Sequence, residues 1–549
     1  MDVTRLAATF LAALGLAGSG PVGHAYRDAK QPASLKAHRS QAIAAVFVAG
    51  HGWGHGIGLA QYGAYGYALH GWTYDKIVAH YYPGTELGQS DLRRVRVLLA
   101  PRPKRAVISS QTQFVVRDGK GKKHRLRAGV QAFGPGLKIK LGNANKLKAL
   151  PGPLLFSPGS GSLSFGGRAY RGALRVKKVA GGLQIVNVVG LDPYLWGVVP
   201  SEMPQRWPAE ALAAQAVVAR TYALAHLQKG GDFDLYNDTR SQVYGGIPAE
   251  AQSATDAVNQ TSGEVVLYDG ELANTYFSSS SGGKTANVQD VWPKSPPEPY
   301  LVSVPDPYDT LSPYHDWGPL RFSAKTLAKR LHVPGGRVSD FRANVASSGR
   351  VRTVTFVGVN GERSVTGAAV RTALGLRSTW FHLGLLSLSN PTGPMVYGSS
   401  KTLSGVARGV TRINLEARAY GGAWRRVGRV SAQNGVVNPV VRPAVTTDYR
   451  LESGGFRSAS VRVSVAPLVQ LAAGTDGVSV NGTVRPLLPG ADVQVQRLNG
   501  GSWETVARTT VASDGTYAAT LDLSPGSYRT RVTAGHGFAT GTSDTLVVQ

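Results

Sequence analysis

The chain has no cysteine among its 549 residues, which excludes disulfides, thiolate metal sites and a cysteine nucleophile. The absence does not argue against export, because a chain of this size can stabilise each domain by apolar burial, and disulfides matter most where the core is small. Acidic residues are scarce: 33 Asp and Glu face 60 Lys and Arg, a formal charge of +27, which biases association toward anionic surfaces. Nucleic acid is not the expected partner, since the basic residues are scattered. The densest run, Lys120 to Arg127, reads as a solvated hairpin end. No zinc finger, RNA-recognition signature or aromatic-interleaved basic stripe accompanies it. Long apolar runs are also missing beyond the N-terminus, where none reaches the ~18 residues of a membrane-spanning helix. The mature chain is therefore expected to be soluble.

The N-terminus does carry a shorter apolar run. Arg5 is followed by Leu6 to Ala17 and by small residues up to Ala25, the pattern of a secretory signal. Residues 1–25 are read as that signal and 26–45 as a flexible lead, and the protein is expected to be secreted and associated with the cell wall. Export points the excess positive charge toward anionic wall polymers or lipid headgroups.

At ~150 residues per domain the length implies three or four units. A Gly- and aromatic-rich block spans 46–87. Between about 93 and 190, segments such as Arg94 to Ala100 and Leu183 to Val189 alternate or run apolar between Gly and Pro clusters, as strands do. The strongest helix signal runs from Pro208 to Lys229, with proline at the first position and Gly230-Gly231 as the stop. Beyond 390 short alternating strands dominate, and an internal repeat appears at an offset of 77 to 79 residues. Ser404 to Arg408 recurs as Asn481 to Arg485, Gly421 to Trp424 as Gly500 to Trp503, and Tyr449-Arg450 as Tyr528-Arg529. The expected fold is α+β: a strand-rich catalytic domain over 46–386 with one long central helix and an insert at 93–190. Two all-β immunoglobulin-like sandwich modules follow, at 390–467 and 468–549.

The most informative segment is Leu191 to Pro204, ahead of the long helix. Glu202 lies in it between Ser201 and Met203, with Trp196 and Trp207 nearby. Bulky apolar neighbours raise a carboxyl pKa by desolvation and keep it protonated near neutral pH, as a general acid requires. The following helix, whose N-terminus lies six residues on, favours the ionised form, but that effect fades within a turn. Tyr276 to Thr285 offers hydroxyls, two glycines and Lys284. It is either a cradle for sugar groups or an ordinary Gly-Ser turn. His51 and His55 stand four apart, yet alternating glycines from Gly50 to Gly58 argue for a tight loop rather than a helix, and no carboxylate lies nearby in sequence. No metal and no cofactor are expected.

Residues 194–223, YLWGVVPSEMPQRWPAEALAAQAVVARTYA, resemble the stage II sporulation protein D family and its amidase-enhancer relatives. Matching pieces extend over much of 50–386: Gly50 to Ala64, Asp238 to Gly245, Thr275 to Thr285, Asp290 to Trp292, Pro299 to Leu301 and Leu374 to Phe381. The resemblance implies a lytic transglycosylase that cleaves peptidoglycan glycan strands, with Glu202 as its single catalytic acid and no obligatory second carboxylate. The substrate-binding set it suggests is Gln215, Arg220, Tyr276, Ser280, Ser281, Lys284, His55 and Gln61. The rival it leaves open is a non-catalytic glycan binder that activates a cell-wall amidase. Many relatives carry His where Ser278 stands and Glu where Ala286 stands. The Gly50 to Ala64 block also comes first here, whereas in most relatives it ends the domain. The resemblance thus implies a circular permutation, with residues 50–64 placed beside Glu202 and the Ser278 to Lys284 loop.

Overall fold

The computed structural model describes residues 45–549 except 92–93, 143–145, 229 and 536; the signal at 1–25 and nearly all of the lead lie outside the described residues. With 43% strand and 17% helix the chain is a strand-rich α+β protein. Its buried side chains form several separate cores.

The core beneath the site is mainly helical. It gathers α1 (Gln61–Leu69), α2 (Tyr74–Tyr81), α3 (Leu191–Glu202), α4 (Ala209–Ala225) and α5 (Gln252–Gln260). Helix α4 is central: Ala211 to Thr221 are all buried, as expected of a helix surrounded on every side. Alanine dominates it because neighbouring helices approach closely. It ends at Ala225 rather than at Lys229, because Asp234 draws the chain aside: its carboxylate accepts from the Gln228 N–H at 3.3 Å and from the Arg96 N–H at 2.8 Å. A second feature affects the chemistry. Glu202 is the last residue of α3 and so lies at the helix's negative end.

The insert forms two larger sheets and the small hairpin Lys138–Leu141/Lys146–Ala149 over a core of its own. One runs from Leu235–Tyr236 through Arg94–Ala100 and Gly182–Gly190 to the hairpin Phe114–Arg117/Lys123–Leu126, and the other contains Ala106–Ser110 and Gly129–Phe133.

The first strand, Ala45–His51, is buried on both faces. Val46 and Val48 enter a core with helices Ala324–Leu331 and Gly367–Leu374, while Ala45 and Phe47 enter the core of the first C-terminal module. This strand pairs antiparallel with Asp316–Ser323 and with Phe381–Leu388, which in turn pairs with Gly405–Arg408. A single five-stranded sheet therefore crosses the boundary expected at 386–390. The second module has sheets of its own, Leu468–Ala473 with Ser479–Arg485 in one and Asp492–Asn499 with Gly526–Thr533 in the other. The repeat has a physical counterpart: Arg450 lies 3.9 Å over Trp424, and Arg529 lies 4.3 Å over Trp503. No helix among the described residues is long and apolar enough to cross a membrane.

The shared sheet makes the first module part of the fold rather than a detachable appendage. Phe47 is 3% exposed, and its ring centroid lies 4.0 Å from that of Phe456 in the module. Phe47→Ala is expected to cost about 3–5 kcal/mol, measured by urea unfolding, as for other buried Phe truncations. A loss below about 1 kcal/mol would show the seam to be loose.

Candidate functional site

Glu202 is half-buried. The Val243 N–H donates to its Oε1 at 2.8 Å, and the Gln61 side chain hydrogen-bonds to the same carboxyl group. Desolvation outweighs both bonds and pushes Glu202 up to about 7. The negative end of α3 acts in the same direction. No Asp, Glu, Lys or Arg among the described residues perturbs its titration. With Oε1 held by an N–H, the proton belongs on Oε2. The shielding differs in part from expectation. Met203 and Trp207 are buried, but Trp196 points away, donating from Nε1 to Asn259 at 3.1 Å and carrying Arg171 on its ring. Tyr194 and Tyr222 take its place, both close enough to feel the Glu202 charge.

Gln61 reaches this site from the first turn of α1. Its Nε2 donates to Oε1 of Gln215 at 3.5 Å, making a polar chain from Glu202 to the middle of α4, and Gln215 Nε2 is left buried without a partner. Upstream, the glycine-rich block lies edge-on against the 276–282 loop. Trp53 exchanges backbone hydrogen bonds with Ser280 at 2.9 and 3.1 Å, Tyr62 N–H donates to Ser279 O at 3.0 Å, and Leu59 N–H to Tyr276 O at 3.2 Å. Gly52 and Gly54 have φ of +71° and +116°, and a Cβ on either would fall 2.7 Å from Ser280 O or 2.6 Å from Ser278 Cβ. Both conformation and space demand glycine there.

The proposed substrate-binding set divides. Gln61 and Gln215 are at Glu202. Tyr276 joins a cluster with His55, Tyr222, His226 and Trp292, its ring 6.0 Å from that of Tyr222. The other five serve the fold. Arg220 is wholly buried: it donates to Asp192 at 3.0 and 3.2 Å, to the carbonyls of Val258 and Glu264 and to Thr261, and so ties α3, α4 and α5 together. Ser280 donates to Asp309 at 2.8 Å and Ser281 to Asp306 at 2.7 Å. Lys284 donates to the Ser347 carbonyl at 3.0 Å. His55 accepts from the Ile57 N–H on Nδ1 at 3.0 Å, and the Phe277 carbonyl takes its other ring nitrogen. Burial, helped by the Arg371 and Arg350 charges, holds it down to about 3, so it is neutral and both nitrogens are spent.

The two acids under this loop were not singled out from the sequence, although Asp306-Pro-Tyr-Asp309 could have suggested a turn. Asp309 accepts from Ser280 Oγ, from the N–H groups of Ser281 and Gly282, and from His315 Nδ1. Burial raises Asp306 to about 7. Arg350 clamps the same loop from behind through the carbonyls of Ser281, Lys284 and Thr285, and burial lowers it to about 10. Ser278 and Ala286 are buried behind the loop, the first accepting from Gly56 N–H at 3.2 Å and the second donating its N–H to Gly56 O at 2.7 Å. These departures alter packing rather than the lining beside Glu202. His51 does meet a carboxylate in space, Asp316 at 2.6 Å. Among the described residues no group of three or more His, Asp or Glu is placed to hold a metal.

An aromatic wall continues from the acid. Tyr65 stacks on Trp207 with centroids 4.6 Å apart, Tyr62 meets the same indole at 5.0 Å, and Tyr62 lies close enough to Tyr314 to feel its charge. Tyr314 packs against Trp53 at 4.6 Å under the Arg377 guanidinium. Val243, Tyr314 and Arg377 were missed as functional candidates, because nothing in their spacing links them to Glu202.

The profile of the family described as Stage II sporulation protein matches residues 179–268, the stretch that holds Glu202, Gln215 and Val243. Over that stretch the chain is similar to the stage II sporulation protein D family and its amidase-enhancer relatives. Stage II sporulation protein D of Bacillus subtilis is 30% identical over 215 residues, covering 36% of this chain and 61% of its own length. The Amidase enhancer of Bacillus subtilis is 43% identical over 115 residues, covering 21% and 15%. An uncharacterized protein of Brachyspira hyodysenteriae is 39% identical over 141 residues, covering 25% and 38%. The chain thus spans less than two thirds of each of these relatives. A two-domain fibronectin type-III segment from chicken tenascin aligns over 30% of this chain and 97% of its own at 16% identity, with a TM-score of 0.20, too low to bear on the fold. Gln61, which hydrogen-bonds to Glu202, lies outside that matched stretch.

The raised Glu202 titration has a stability consequence. A carboxyl whose folded pKa exceeds its unfolded value favours folding fully at low pH, and that contribution is lost as pH rises toward and through about 7. Glu202→Gln should therefore be the more stable protein at pH 8, by on the order of 1–2 kcal/mol after allowing for the solvent-facing side, with no advantage at pH 4. Urea unfolding at the two pH values checks this, and a variant that is less stable at pH 8 contradicts the assigned environment.

Proposed function

We propose that this protein is an exported cell-wall protein that cleaves peptidoglycan glycan strands by lytic transglycosylation, with Glu202 as the only acid–base group. The observation that carries the reading is a half-buried carboxyl held near 7 with no second carboxylate acting on it. Hydrolases of glycosidic bonds ordinarily need two carboxyl groups at a set separation; a transglycosylase can use one twice. Protonated Glu202 gives its Oε2 proton to the glycosidic oxygen as the bond from C1 to that oxygen breaks. The carboxylate then takes the proton of the muramic C6 hydroxyl, whose oxygen bonds to C1 and closes the 1,6-anhydro ring. The acid is thereby restored and no water is consumed. In this reading Gln61 and the Val243 N–H hold the carboxyl in place, and the half-buried rings of Trp53, Tyr62 and Tyr314, with Trp207 packed behind Tyr62, form a wall for sugars. The amidase activator remains the second reading, favoured by the similarity to the Amidase enhancer.

The permutation belongs to the same proposal. The end of Phe381–Leu388 lies beside the start of Ala45–His51 in an antiparallel pair, Leu386 opposite Ala45, so a short turn could join them in the order the relatives use.

Purified protein incubated with peptide-stripped and intact glycan should release 1,6-anhydromuramic ends, detected by mass spectrometry. Glu202→Gln should lower the rate by about 10²–10⁴ without loss of fold. Activity of the native protein should decline as pH rises past about 7, where the acid ionises. Intact glycan together with faster amide cleavage by an added cell-wall amidase would establish the second reading instead.

A further inference from the structure

The first C-terminal module holds a groove, with a cavity of about 680 Å³, that belongs to a different core from Glu202. Its floor is Leu415, Ala417 and Tyr449, each 5% exposed. Small residues leave it hollow. Leu415 pairs with Gly428 and Ala417 with Arg425 across the sheet, so a glycine and an arginine occupy the inner face where a sandwich would carry bulk. A Cβ on Gly428 would meet no atom within 4 Å. One wall is Arg425–Val430, which among the described residues pairs only with Ile413–Ala419 and so is the outer strand of its sheet. Val427 and Val440 are 46% and 60% exposed along the groove.

The charges separate in a telling way. On the opposite face of this sheet four arginines are paired, Arg418 and Arg462 with Asp448, and Arg450 and Arg457 with Glu416. Arg425, Arg429 and Arg442, which line the groove, are exposed and have no carboxylate within ion-pair distance among the described residues. A row of free guanidinium groups beside an unpaired strand edge and exposed valines has the pattern that main-chain pairing plus carboxylate recognition requires. We propose that this groove binds an extended acidic peptide segment, which adds as a strand along Arg425–Val430. Its carboxylates meet Arg425, Arg429 and Arg442, and its apolar side chains cover Leu415 and Val427. This assignment is independent of the chemistry at Glu202.

The test uses the full chain and a fluorescein-labelled eight-residue peptide of alternating Glu and Val, followed by anisotropy. Saturable binding is expected, with none for the Lys-Val counterpart or for a Glu-Val peptide N-methylated on the pairing edge. The triple variant Arg425→Glu, Arg429→Glu and Arg442→Glu should weaken binding by at least about tenfold. Gly428→Leu, which keeps every charge and fills the hollow, should weaken it comparably, so the result does not depend on the triple variant folding. Circular dichroism of both should match the native chain. The proposal is overturned if the acidic peptide does not bind or if both variants bind it normally. Inorganic polyphosphate binding that Gly428→Leu leaves intact and that displaces the peptide would also overturn it, marking a charged surface rather than a groove.

Discussion

The site depends on the edge-on packing of the glycine-rich strand end against the 276–282 loop. Backbone there approaches backbone at hydrogen-bonding distance, and alternate positions have neither the conformation nor the room for a side chain. Because that contact fixes the entry of α1, it delivers Gln61 to Glu202 across the 141 positions that separate them in sequence. Asp306, Asp309 and Arg350 hold the loop from the other side, using most of its donors and acceptors. A rigid loop lets a single amide orient a carboxyl without a charged partner.

That lack of a charged partner decides the electrostatics. The chain is strongly basic, and one guanidinium beside Glu202 would ionise it and remove its use as an acid. The nearby buried arginines are instead committed elsewhere, Arg220 to Asp192 and Arg350 to carbonyls. Only one N–H and one amide oppose desolvation, which is why burial prevails. The two modules behind the domain show the same economy in reverse. The first pairs Arg418, Arg450, Arg457 and Arg462 with carboxylates on its outer face, and its groove leaves Arg425, Arg429 and Arg442 without a carboxylate among the described residues.

The elements themselves were legible from local pattern. Alternation marked Arg94–Ala100 and Ile413–Ala419, turn chemistry bounded them, and proline announced α4. Glu202 was singled out from the apolar neighbours that adjoin it in the chain, and the tandem modules from the recurrence of Trp424 and Trp503 at one offset. Each of these signals lies within a few residues or repeats at a fixed period.

Only the tertiary structure decided which polar groups are free. Ser280, Ser281, Lys284, Arg220 and His55 have the right chemistry to hold a sugar, but folding supplies each with an internal partner, and hydrogen-bonding capacity spent inside the protein cannot be offered outside it. Val243, Tyr314 and Arg377 join the site through backbone paths that no spacing rule encodes. The module boundary was hidden for the same reason: Ala45–His51 is apolar on both faces, which shows that it is buried, but not that its two faces belong to different cores. Period and composition determine what a segment becomes. Which segments meet, and so which donors remain unspent, follows from packing alone.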